Sequence, residues 1–252
     1  MEISPGVFAR AKKLKRPAVD ELFAEVYPAV VRIARGLSGR EDVAEGVVRF
    51  IMLRAARMIP TWRDETAAER WFLHHTVLTT RRAAAHQPAA QSDLLVGSGG
   101  GPSEPAYTAF VRAVRQLPVQ QREAFLLHAG EHFNNRYLGV AMDCSTGAAQ
   151  AHLDAAAAAL RAVTAAGEFD PLVARISAAY AHLGPNQPEV FPAVGRWVTR
   201  GLRPQRIRRT IRLAIVLAIL CGIGWTVWHW RLWRITGILH APTTQPSPAT
   251  QR

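Results

Sequence analysis

Residues 213–230, LAIVLAILCGIGWTVWHW, form an 18-residue stretch without a formal charge. At the ordinary helical rise it would span about 27 Å, close to the hydrocarbon thickness of a bilayer. A core helix of that length usually keeps a polar stripe, and this run has none. Trp225, Trp228, Trp230 and Trp233 gather at its C-terminal end, where an aromatic belt belongs, with Arg231 and Arg234 placed to snorkel toward headgroups. The pattern predicts one transmembrane helix over 211–233. Five arginines between 203 and 212 precede it, so the positive-inside rule puts the preceding side in the cytoplasm. The expected location is the cytoplasmic membrane, single-pass, with the N-terminal domains in the cytoplasm and a polar, Pro-rich extracytoplasmic tail at 240–252.

The formal net charge of +12 would suggest nucleic acid or an anionic membrane as partner, and its placement is what decides. Residues 196–234 hold nine arginines and no acid, whereas 21–90 hold ten arginines against eight acids and 107–167 five against four. The excess sits beside the apolar run, and the preceding segments are nearly neutral. A domain that grips DNA by phosphate neutralisation should show a basic face, so the partition weighs against tight DNA binding by charge alone. The two cysteines, Cys144 and Cys221, suggest no structural disulfide, as fits a reducing compartment. The start, MEISPGVFARAKKLKRPAVD, lacks the apolar core of a secretory signal and reads as a basic tail over 1–20.

Between these ends the periodicity is helical. Leu22, Val26, Val30, Ile33 and Leu37, then Val43, Val47, Phe50, Ile51 and Leu53, recur at three-to-four spacing and predict two amphipathic helices joined near residues 38–40. A third helix is predicted over about 66–85, completing a helical domain at 21–86. Residues 87–106, rich in Gly, Ser and Pro, read as a flexible linker that lets its neighbours move independently. A second helical domain follows at 107–165. Its last two helices, 134–142 and 146–163, flank a turn at Asp143, Cys144 and Ser145, with Ser145 placed as N-cap, in a helix-turn-helix arrangement. That spacing fits a DNA reader or a plain bundle alike. Residues 166–210 read as a juxtamembrane helical segment.

Residues 117–161, LPVQQREAFLLHAGEHFNNRYLGVAMDCSTGAAQAHLDAAAAALR, resemble region 4 of extracytoplasmic-function sigma factors of the sigma-70 family without a gap. Leu117, Pro118, Arg122, Glu123, Phe125, Leu126, Leu127 and Glu131 carry the likeness, with Ser145, Gly147, Leu153 and Leu160 in register. Residues 21–82 resemble region 2, DVAEGVVRFIMLRA matching the core-polymerase-binding helix and ERWFLHHTVLTTRR the promoter-melting helix. Together they take in about half of the chain, in the family's order. The resemblance implies an all-α fold of two small helical domains, a bacterial transcription initiation factor that binds core RNA polymerase and promoter DNA, and no catalytic residue, cofactor or metal. It assigns polymerase binding to Asp42, Glu45, Arg49, Phe50 and Leu53. It assigns DNA binding to Trp71, His74, His75, Arg81, Arg82, Ser145, Thr146, Gln150 and His152. An anti-sigma or signalling protein is a further expected partner.

The chain departs from the family at telling places. Gly46, Arg49 and Phe50 stand where acids and a Gln are usual, and Val77 and Leu78 where an Arg-Asn pair is usual. The recognition helix presents Gln150, His152, Asp154, Ala155 and Ala157 in place of Lys and Arg, which offers little to a phosphate. The alternative to a membrane-tethered sigma factor is therefore a degenerate, membrane-anchored regulatory interaction protein with little promoter recognition. A third reading starts from His128, Glu131 and His132, which spell H-x-x-E-H, a zinc-protease pattern when carried on one helix. Gly130 interrupts that helix and no third ligand is evident. His74 and His75, being adjacent, point about 100° apart and do not share a metal easily.

Overall fold

The computed structural model describes residues 1–85, 93–97, 105–185 and 187–239. Among these there are eleven α-helices, a 3-10 turn at Ile59–Thr61 and no strand, in accord with the all-α expectation. The chain divides into a compact unit, Met1–Leu202, and a second unit, Arg203–Arg252.

In the first unit, α2 (Arg16–Ser38), α3 (Glu41–Met58) and α4 (Glu65–Ala85) correspond to the three helices that the apolar spacing predicts, except that α2 starts at Arg16, before the expected domain start at 21. Gly39 ends α2 in the left-handed region at φ 67°, its N–H donating to the Arg35 carbonyl at 2.8 Å. Val43, Val47, Ile51, Met52 and Ala55 bury one face of α3 against Leu22, Phe23 and Val26 of α2 and Phe72 of α4. Phe23 and Phe72 meet edge-to-face at 6.4 Å, a pairing that contributes about 1 kcal/mol beyond burial.

Residues 1–20 are not a tail. Ile3, Val7, Phe8 and Ala11 are buried in this same core, and α1 (Pro5–Lys12) is the helix that carries the last three. Their three-to-four spacing makes an apolar stripe, while Arg10 and Lys12 lie on the exposed side.

The helices α6 (Pro105–Gln116), α7 (Val119–Glu131), α8 (Asn135–Met142) and α9 (Thr146–Ala162) form the helix-turn-helix segment. Asn134 caps α8, its Oδ1 accepting from Tyr137 N–H at 3.0 Å, and Ser145 caps α9, its Oγ accepting from Ala148 N–H at 3.2 Å. The turn and the cap are where the sequence places them.

The expected independence of the two helical segments gives way to a shared core. Ile33 and Leu37 of α2 and Leu73 and Val77 of α4 are buried together with Phe110, Leu126, Leu127 and Leu138. Within the predicted linker, residues 86–92 and 98–104 lie outside the described residues. The piece between them is folded: α5 (Leu94–Gly97) buries Leu95, and Asp93 pairs with Arg115. The segment 166–210 is also more than a connector. Its α10 (Phe169–Ala181) buries Ile176 and Tyr180 in the shared core, and Val190, Val194 and Val198 of α11 (Gln187–Leu239) join the core around α2 and α3.

Among the described residues, no helix is long and apolar enough to cross a membrane, so the fold does not support the single-pass crossing expected over 211–233. The side chains of 231–233 and the expected tail at 240–252 lie outside the described residues. Between Ile211 and Trp230 the described side chains are exposed around the whole helix.

Candidate nucleic-acid interface

Helical periodicity on α3 turns Asp42, Glu45, Arg49 and Phe50 to the exposed face and leaves Leu53 half-buried at its edge. Arg40 donates to both oxygens of Asp42, at 3.0 and 2.7 Å, and these bonds hold the Asp42 carboxyl below the usual carboxylate range. Phe50 is 46% exposed, with the Arg54 guanidinium 5.8 Å from its ring centroid. An exposed aromatic flanked by charge is the composition of a protein-binding anchor.

On α4, Trp71 packs beside Trp62, ring centroids 5.3 Å apart, and stacks on His75 at 4.4 Å. The His75 Nδ1 lies 3.1 Å from the Trp71 carbonyl oxygen. Burial, joined by the neighbouring His74 and the cations Arg54 and Arg82, holds the His75 imidazole below its ordinary range. Trp71 therefore has ring neighbours on two sides. Arg81 donates from Nε and Nη2 to the two oxygens of Glu123 on α7 at 2.9 and 2.6 Å, and Glu123 is only 3% exposed. The charge expected to meet DNA is thereby spent on a buried carboxylate of the other segment. Val77, a departure from the family pattern, is fully buried in the shared core, which an Arg would disrupt.

A cleft of about 950 Å³ opens between α4 and the helix-turn-helix. It brings together Trp71, His74 and His75 with Ser145 and Thr146. The other expected DNA contacts are not among its lining. Gln150 accepts from Asn135 Nδ2 and donates to Asp154 Oδ1 at 2.7 Å, so both ends of its amide are engaged. His152 is half-buried further along α9, and Arg82 is exposed near the end of α4. Two cations that the sequence reading did not single out, Arg70 and Arg136, line the cleft on opposite sides. Arg70 adjoins Trp71 in sequence, a signal of basic-aromatic pairing; nothing local marks Arg136.

The H-x-x-E-H pattern does not assemble a metal site. Glu131 is in a bidentate pair with Arg32 at 2.8 Å from both Nε and Nη2, His128 Nδ1 lies 2.9 Å from the Phe133 carbonyl oxygen, and His132 ends α7 with φ at 55°. Among the described residues, no three His, Cys, Asp or Glu side chains group as metal ligands. Cys144 and Cys221 are both free thiols, and burial pushes the Cys144 thiol up.

Fold and site define a class: a helical chain in which a capped helix-turn-helix packs on a second helical segment across a basic, aromatic-lined cleft. Over 114 residues the chain is 32% identical to the ECF RNA polymerase sigma factor SigM of Mycobacterium tuberculosis, in strains H37Rv and Erdman alike. The match covers 43% of this chain and 58% of the relative, so the chain spans somewhat over half the length of the curated relatives it matches. No protein-family model matches the chain, and no solved structure matches it.

Proposed function

We propose that the chain is a sigma-70-type transcription initiation factor of the extracytoplasmic-function kind, anchored at the cytoplasmic membrane. The observation that carries this reading is the 32% identity to SigM over 114 residues. The capped helix-turn-helix supports it. On this reading the exposed face of α3 (Asp42, Glu45, Arg49, Phe50 and Leu53) meets core RNA polymerase. The residues on α4 and at the α9 N-terminus meet promoter DNA, and no catalytic group or cofactor takes part. Anchoring rests on exposed apolar side chains such as Leu213, Leu217, Ile223 and Trp225, the last 71% exposed, a patch that water does not favour and a lipid phase does. The membrane-facing segment is 211–233, with the N-terminal domains on the cytoplasmic side.

Co-purification of core polymerase with the tagged full chain tests the first part, and its absence would contradict it. For the second part, a reporter fused after Arg252 should be extracytoplasmic and one inserted at Ala166 cytoplasmic. Both on one side would contradict a single span. The engaged Gln150 and Arg81 favour a second reading, a sigma-like regulator that binds polymerase or an anti-sigma or signalling protein and reads promoters little. Polymerase binding without promoter retention would select it.

A further inference from the structure

Tyr180 of α10 sits where two other helices have room for no side chain. A Cβ on Gly36 of α2 would lie 2.0 Å from its Cε2, and a Cβ on Gly130 of α7 would lie 2.4 Å from its Cγ. The ring is fully buried, and its hydroxyl has no hydrogen-bond partner among the described residues. One side chain of α10 thus keys into both helical segments at once. Around it the same two segments are clipped by charge. Arg32 of α2 holds Glu131 of α7, Arg81 of α4 holds Glu123 of α7, and Arg115 of α6 donates to the Gly36 and Leu37 carbonyls at 2.9 and 3.0 Å. Arg35 of α2 also donates to the Leu183 carbonyl just beyond α10, at 2.8 Å.

This arrangement has a functional cost. Two segments that, on the sigma-factor reading, address separate promoter elements are held so that Trp71, His74 and His75 of one and Ser145 and Thr146 of the other line one cleft, with Arg81 consumed inside the clip. We propose that α10 is an intramolecular latch: Tyr180, seated between Gly36 and Gly130, holds the segments closed, and its withdrawal frees them to bind polymerase and promoter DNA together. The inference rests on the sigma-factor reading above. The unpartnered Tyr180 hydroxyl fits a contact that is made and broken, because a buried polar group without a partner weakens the state that buries it.

The test uses the full chain in detergent, with Cys144→Ser and Cys221→Ser, and spin labels on Thr66→Cys and Ala158→Cys, both exposed and on opposite segments. Tyr180→Ala should lengthen the label-to-label distance and raise binding to core polymerase with promoter DNA by roughly tenfold or more, as expected when the competent fraction was the minor one. A reductant-cleavable bismaleimide joining Arg32→Cys to Glu131→Cys should abolish that binding, and cleavage should restore it. This second arm decides the matter should Tyr180→Ala fail to fold. An unchanged distance, or binding that is measurable and equal in closed and opened chains, would overturn the latch and leave the sigma-factor reading standing. An opened chain that binds no polymerase would overturn the sigma-factor reading itself, and the latch with it.

Discussion

Arg81 and Glu123, 42 residues apart in sequence, form a bidentate ion pair between α4 and α7, with both guanidinium–carboxylate distances under 3 Å. The pair raises the Arg81 pKa through those bonds and ties the promoter-melting-like helix to the helix-turn-helix. Glu123→Ala would leave Arg81 facing an apolar hole. Breaking a buried pair typically costs 3–5 kcal/mol, but Arg81 keeps some solvent, so about 2–3 kcal/mol of unfolding free energy should be lost. Arg81→Met with Glu123→Leu should come close to neutral, and a double-mutant cycle in urea measures both.

The His75 imidazole supplies a pH dependence. Its folded pKa lies below the ordinary 6.5, so near and below that pH the unfolded chain binds more protons than the folded one, and stability rises with pH. The contribution is present above pH 6.5 and declines as pH falls through it. His75→Phe should flatten urea-midpoint stability between pH 5 and 7 while keeping the stack on Trp71.

At the turn, Ser145→Ala removes the acceptor for the Ala148 N–H and should cost about 1 kcal/mol, with Ser145→Asp close to wild type. Thermal unfolding of the two variants side by side checks this. A Ser145→Ala variant as stable as wild type would show that water replaces the cap without loss.

These outcomes sort what the sequence made legible from what it hid. The junction of α2 and α3 and the limits of α8 and α9 are readable to within a residue because local chemistry sets them, with Gly39 at a left-handed end, Ser145 as a cap and apolar residues at helical spacing, whereas the start of α2 at Arg16 lies inside the segment that reads as a tail. The exposed face of α3 followed from the same periodicity. What escaped was carried by distant partners. Arg32 and Glu131 are 99 residues apart, so nothing near Glu131 in the sequence shows that a guanidinium occupies its carboxylate. The short helix that buries Leu95 hides in a Gly- and Ser-rich stretch, and α1 hides in a segment whose arginines and lysines outnumber its apolar stripe. Tyr180 carries no local sign that two glycines on other helices wait for it.

The recognition-like helix should be a weak DNA binder. No Lys or Arg appears on α9 before Arg161, and Gln150 is engaged by Asn135 and Asp154. Gln150→Lys with Asp154→Arg should raise duplex affinity of the full chain and steepen its salt dependence. Each added phosphate contact is worth about 0.9 in the log–log slope. A wild-type chain that already shows a steep slope would place the phosphate grip elsewhere, at Arg70 and Arg136 first.

The central claim is that α3 presents a polymerase-binding face. Phe50→Asp with Leu53→Asp puts two charges on it at exposed and half-buried positions, where the fold tolerates them and a desolvated interface does not. The decisive measurement is the affinity of fluorescently labelled core RNA polymerase for the tagged full chain and for this double variant, with helical content compared by circular dichroism. The account predicts saturable binding by the wild type and a loss of at least about a hundredfold, roughly 2.7 kcal/mol, in an equally helical variant. Equal affinity for the two chains would contradict it.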